Sequence, residues 1–456
     1  MNKNVDLFEN KKVSTAVISL VIPTIISQVI TVVYNIADTF FIGRLGNPDM
    51  VAAASIVLPL FIFLNAISNL FGIGGASLIS RALGVKDYDK ARYTSAFSII
   101  SGLALAILYG LLMFFLRPVI LPLIGANSGT FDYCYQYMLF TICIGATPTV
   151  FNTMVSHIIR SQGYAKDASF GVTLGGVLNI FLDPLFIFVF KHGIIGAAIA
   201  TMLANILASI FFIVFIIIKK KENKIILSIR FRDYKVKDNI PKEVILVGLP
   251  SAIMSSFAVI SNIAMNTIME DYQNEAVAAI GIAKKIDLLA FSIAMGISQG
   301  VLPLIGYNYS SKNFKRMKKA ISFTFILSIS FEIIATILLF VFAAPIIRLF
   351  INDDTTVNFG VTFQKIMCLG GPCIGISLVI STIFQSVGIK IRPLIINLLR
   401  KGAVDVPIMH ILNHFIGKNG VPLATVIAEI IAMVIAIIMF LFFIKKIKKE
   451  ELEFNS

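Results

Sequence analysis

Two acidic residues lie inside long apolar stretches, and each follows a polar side chain four residues earlier. Asp38 comes after Tyr34 and Asn35 in LVIPTIISQVITVVYNIADTFFIGRLG (20–46), and Asp183 comes after Asn179 in a later apolar segment. The i, i+4 spacing puts each pair on one helical face. A carboxylate at membrane depth costs several kcal/mol unless it faces a water-filled cavity or a partner, so both acids mark a site. Thr201, about seven residues into the next apolar segment at about 1.5 Å per residue, reaches a similar depth. Two carboxylates, an amide oxygen and a hydroxyl suit a hard cation such as Na⁺. The same set can hold a proton, because burial and a neighbouring like charge both favour the neutral carboxyl. Blander roles stay open: Asp183 precedes the helix-bending Pro184, Asp38 could snorkel to the outer interface, and Asn179 and Thr201 could bond between helices.

The elements that must position these residues are membrane spans. Of 456 residues, 57% are hydrophobic and only 14% charged, and apolar runs of about 20 residues recur to the end. Twelve spans are expected in an all-α polytopic membrane protein. The first apolar run is long and leads straight into a second, so it reads as a span rather than a removed signal peptide. Cys134, Cys143, Cys368 and Cys373 show no metal-ligand spacing and fall in or beside apolar segments, so neither a disulfide nor a metal cluster is expected. The net charge of +14 reports topology rather than nucleic-acid binding. With the N-terminus inside, the opposite loops hold only Arg44, Arg117, Lys191, Arg348 and Lys418, so both termini are expected in the cytoplasm.

The longest break, 219–242, is basic and falls at the midpoint of the chain. It predicts a cytoplasmic linker between an N-terminal lobe (1–218) and a C-terminal lobe (243–456) of six helices each. Sliding the chain on itself supports the division. Pro23 meets Pro250, Asn35 meets Asn262, KDYDKA (86–91) meets KNFKRM (312–317), RSQG (160–163) meets QSVG (385–388), and Gly196 meets Gly420. Six spans is an even number, so the copies share an orientation and are expected to be related by a pseudo-two-fold along the membrane normal. Such halves work by alternating access around a central cavity, and the two prolines can bend their helices.

The first apolar segment with Pro23, Tyr34, Asn35 and Asp38, GGASLISRALG (74–84), SQGVLPLIGYNYSSK (298–312) and LRKGAVDVPIMHIL (399–412) together resemble the multidrug and toxic compound extrusion (MATE) family, nearest its DinF/MepA-like branch. Ser310 and Ser311 depart from the Gly-Ala more usual in the family after YNY, in a cytoplasmic loop. The resemblance spans essentially the whole chain. It implies two six-helix lobes, a bacterial cytoplasmic membrane location and a monomer. It also implies export of cationic amphiphilic drugs against an inward Na⁺ or H⁺ gradient, with no cofactor besides that ion. In the family, the positions matching Asp38, Asn179, Asp183 and Thr201 form the cation or proton site of the first lobe, lined by Tyr34.

The second lobe is not a chemical copy. Met265 stands where the repeat would place Asp38, and the acids lie at Asp287, Glu332, Asp405 and Glu429. Lys284 is three residues from Asp287, which predicts an internal ion pair; the sharper alternative has Lys284 or Lys285 facing the cavity. With 38 Phe and 15 Met, recognition of flat cations is expected to be diffuse. Candidate polar contacts are Gln28, Asn35, Asn65, Gln162, Asn262, Asn266 and Gln299. No phosphate-cradling GxxxxGK[ST] loop is present, which argues against a nucleotide-driven pump. His410 and His414 share a face but lack an evident third ligand, so no metal site is expected there. The main alternative is a lipid-linked saccharide flippase of the same export superfamily, whose anionic cargo would favour a basic cavity.

Overall fold

The computed structural model describes residues 5–455 and is helical throughout its membrane part. A short helix, Val5–Glu9, precedes the first span, Val13–Gly43, the second, Pro48–Gly84, and the third, Tyr88–Leu123. The fourth is bent by 49° where Phe131–Ile144 meets Ala146–Arg160. The fifth, Ala165–Val189, widens into a π-turn at Leu185–Val189 just after Pro184, so the missing proline donor is absorbed without ending the helix. The sixth is Gly193–Lys221, the seventh Ile240–Glu270, the eighth Asn274–Ser310, the ninth Phe314–Val341 and the tenth Asp354–Ser386.

Among the described residues, ten stretches are long and apolar enough to cross a bilayer, and the bent pair makes an eleventh. The last of the ten, Ile391–Phe454, holds two passes. Its first part, Ile391–Arg400 and Asp405–Ile416, turns at Gly417–Asn419 and packs back along Gly420–Asn455. These are the eleventh and twelfth spans, and they complete the expected number.

The repeat is visible in backbone detail. Lys86 and Lys312 both adopt positive φ, 61° and 59°. The next residues, Asp87 and Asn313, each cap the following helix by accepting from a backbone N–H three residues on, Lys90 at 2.9 Å and Arg316 at 3.1 Å. A side-chain acceptor there satisfies one of the orphan donors of a helix start. Gly163 and Gly388 both close turns at φ 89° and 82°, in the left-handed region where glycine is least strained. The charge-rich KDYDKA and KNFKRM segments are thus two copies of one turn-and-cap device.

Two compact units emerge, but they are not cut at the linker. Of the described residues, one comprises 5–11 and 26–252, the other 12–25 and 253–455. Relative to lobes of 1–218 and 243–456, the first half of the first span belongs with the second unit and the first half of the seventh with the first unit. Both exchanges end two residues past a proline, Pro23 and Pro250. Small residues explain the membership. In the first unit, Gly248 presses on the backbone at Leu70 and Gly74 on the backbone at Val244; an added Cβ would lie 1.8 Å and 2.0 Å from their carbonyl oxygens. In the second, Cβ atoms on Gly296 and Gly300 would come within 3 Å of the Ile25 and Val21 Cα atoms. Helices this close gain packing that lipid cannot supply.

The expected linker is docked on the first unit rather than free. Gln162 accepts from the Ile226 amide at 2.9 Å, Ser95 from the Ser228 amide at 3.0 Å, and the Tyr164 hydroxyl donates to the Lys224 carbonyl at 2.9 Å.

Candidate ion site in the first unit

The fifth and sixth spans pack along each other and bring the predicted pair together with Thr201. Asn179 donates through Nδ2 to both Asp183 Oδ1 and Thr201 Oγ1, each at 3.1 Å. Asp183 is fully buried, and Asn179 and Thr201 nearly so. The first span closes on this group at Gly176, where an added Cβ would meet Ile30 at 2.7 Å and the Tyr34 ring at 3.0 Å. Tyr34 therefore lies on the glycine face that also carries Asn179. Asp38, one turn beyond Tyr34, is close enough for its charge to act on Asp183, and its Oδ2 accepts from the Tyr137 hydroxyl at 3.0 Å.

The hydrogen bonds leave a surplus of acceptors. Asp38 Oδ1, Asp183 Oδ2 and Asn179 Oδ1 are all buried without a donor, and neither acid forms an ion pair among the described residues. Leaving one buried acceptor unmade costs about 1–3 kcal/mol, more for a charged group. Three such oxygens come from two spans, and acidic oxygens left without donors can accept a cation or a proton.

Three neighbours escaped the sequence reading. Tyr137 comes from the fourth span, and nothing in local spacing ties it to Asp38. Asn205 donates to the Thr201 carbonyl at 3.0 Å and accepts from Asn152 at 3.2 Å. Its i, i+4 spacing from Thr201 was a usable signal; Asn152 had none.

Other predicted contacts disperse. Gln162 is buried but spends its Oε1 on the Ile226 amide, so it anchors the linker instead of lining a cavity. Asn35 is exposed and donates to the Thr31 carbonyl on its own helix at 2.7 Å. Gln28 and Asn65 are half-buried, Asn262 and Asn266 exposed, and Gln299 buried. Lys284 does not pair with Asp287 as its spacing suggested; it donates to Asn266 Oδ1 at 3.4 Å, and Lys285 is exposed. A buried salt link of the second unit lies elsewhere, with Lys401 also 3.8 Å from Glu429. Arg400 binds Glu429 through two nitrogens, at 2.7 and 3.2 Å, with both side chains 1% exposed. Asp405 accepts from Ser261 and from the Gly402 amide.

Comparison with known proteins agrees with this architecture. The chain is 31% identical over 432 residues, 95% of its length and 94% of the relative's, to the multidrug export protein MepA of Staphylococcus saprophyticus. It is 30% identical over 433 residues to the protein of that name from Staphylococcus aureus, with 95% and 94% covered. A crystal structure of MATE in complex with MaD3S aligns at a TM-score of 0.91, 25% identity and 98% and 99% coverage. An outward-facing multidrug resistance MATE family transporter of the MOP superfamily aligns at 0.89, 24% identity and the same coverage. The MatE family description matches residues 23–185 and 250–411, one match in each half, and the chain therefore belongs to the MatE family of multidrug export transporters.

Proposed function

We propose that this transporter is a secondary antiporter, exporting cationic amphiphilic compounds in exchange for Na⁺ or H⁺ loaded at Asp38, Asn179, Asp183 and Thr201. The observation that carries the reading is the trio of buried acceptors without donors, Asp38 Oδ1, Asp183 Oδ2 and Asn179 Oδ1. The two acids form no ion pair among the described residues, and unpaired acidic oxygens favour a positively charged occupant and disfavour an anionic cargo such as a lipid-linked pyrophosphate. The distribution of Lys and Arg supports a bacterial cytoplasmic membrane protein with both termini inside. It acts as a monomer and needs no cofactor besides the coupling ion.

The test is efflux of a fluorescent lipophilic cation from energised cells, with Na⁺ and pH gradients collapsed separately. Efflux by the wild type that is abolished by Asp183→Asn and by loss of one gradient identifies the antiporter and its ion. Cells expressing the wild type in the membrane that extrude no better than empty-vector cells refute the reading.

A further inference from the structure

In the second unit the ninth span carries Glu332, which is 2% exposed. Its carboxyl lies across two glycines of the tenth span. A Cβ on Gly371 would sit 2.7 Å from Glu332 Oε2, and one on Gly375 would sit 2.9 Å from its Cγ. The tenth span is interrupted at this level, because the tight turn Cys368–Gly370 separates Asp354–Met367 from Gly371–Ser386. Thr336, one turn beyond Glu332, donates to the Cys368 carbonyl at 2.8 Å.

Glu332 Oε1 is buried with no hydrogen-bond partner, and the carboxyl joins no ion pair among the described residues. The charges whose fields reach it are Asp287 from the eighth span, Arg400 from the eleventh and Glu429 from the twelfth. Arg400, the one cation among them, is already committed to Glu429 through two hydrogen bonds, so among the described residues the carboxylate has no ion-pair partner. An ionised carboxyl in this position would leave charge both buried and unpaired, whereas the neutral acid needs only one oxygen without a donor. The two glycines seat the tenth span directly on the carboxyl, so displacement of that span from the ninth would uncover it.

We propose that Glu332 is a proton-carrying site of the second unit, independent of Asp38 and Asp183, which keeps its proton while the tenth span is seated as here and releases it to water when that seat opens. The proposal deepens the antiporter reading by adding a second exchangeable proton.

Infrared difference spectroscopy on the full-length protein in liposomes tests it in an Asp38→Asn/Asp183→Asn background, where the first unit's acids are removed. The expected result is a protonated-carboxyl stretch at neutral pH that shifts in D₂O on pH cycling and vanishes on adding Glu332→Gln. A stretch unchanged by Glu332→Gln, no stretch at all, or a Glu332 stretch that never exchanges in D₂O would overturn it. Glu332→Asp, which keeps the group but shortens it, guards against misfolding of the glutamine variant: its stretch should persist at a shifted frequency. None of these readouts requires drug transport, so failure of the antiporter reading is scored separately by the efflux assay.

Discussion

Tyr137 shows how a single side chain tunes the candidate ion site. Its hydroxyl is the one donor that Asp38 Oδ2 receives among the described residues, and hydrogen bonds to charged groups are worth about 1.5–3 kcal/mol. Tyr137→Phe is expected to change the apparent affinity for the coupling ion by roughly tenfold or more while leaving the amount of membrane protein unchanged. Ion titration of efflux rates checks this, and an unaltered curve would remove Tyr137 from the site. Asn179 is the hinge of the group because one amide serves both Asp183 and Thr201; its partners were legible from an i, i+4 spacing and an estimate of depth. Tyr137 was not, since its link to Asp38 spans 99 residues of chain and exists only after the fourth span has packed. Arg400 and Glu429 pose a different question at the same scale. Arg400→Met alone leaves the buried Glu429 carboxylate only the looser contact with Lys401 at 3.8 Å, and should cost up to about 3–5 kcal/mol. Arg400→Met combined with Glu429→Leu should recover most of the loss in thermal stability measured in detergent, because a buried pair can be replaced by apolar packing at little cost.

Helices in this protein are fitted by glycines and ended by caps. Gly74→Val or Gly248→Val would drive a side chain into the facing carbonyls of Val244 or Leu70. Either should lower the melting temperature more than the same change at Gly43, where nothing lies within 4 Å of the added atom. The tenth span begins at the cap Asp353, which accepts from the Thr356 amide and hydroxyl, both at 2.7 Å. Those donors, the hydroxyl foremost, hold its carboxyl below the usual carboxylate range. The sign follows directly: the cap contributes fully above the unfolded value, about 3.9, and is lost as pH falls through the lowered folded value. Hydrogen exchange at 354–357 should therefore quicken on acidification below about 4 in the wild type, and show no such step in Asp353→Asn. Element identities were largely readable, since hydropathy and paired turn motifs located the spans and the repeat. The interruptions at Gly145 and Cys368–Gly370 were not, because each leaves the apolar run unbroken and arises from packing rather than composition, whereas the break at 401–404 sits in the polar stretch Arg400–Lys401–Gly402 and was a signal passed over.

At the scale of the whole chain, the two units trade the first halves of the first and seventh spans. A sequence cut at the basic linker cannot show this, since the linker marks where the chain is polar and says nothing of which helix packs on which. Severing the chain within 224–239 should accordingly yield two fragments that are each unstable alone and that purify together when co-expressed; recovery of either half as a well-behaved monomer would contradict the exchange. The repeated matches at 23–185 and 250–411 begin at the two prolines, close to where the exchanged halves end. Synthesis adds a temporal side to this feature. Val21 leaves the ribosome long before Gly300, the residue against whose backbone it is fitted, and at about 5–20 residues per second the interval is roughly 15–55 s. Throughout that interval the first half of the first span is inserted without its permanent neighbour, so the nascent transporter depends on lipid or the insertion machinery to shelter a surface destined for a partner not yet made.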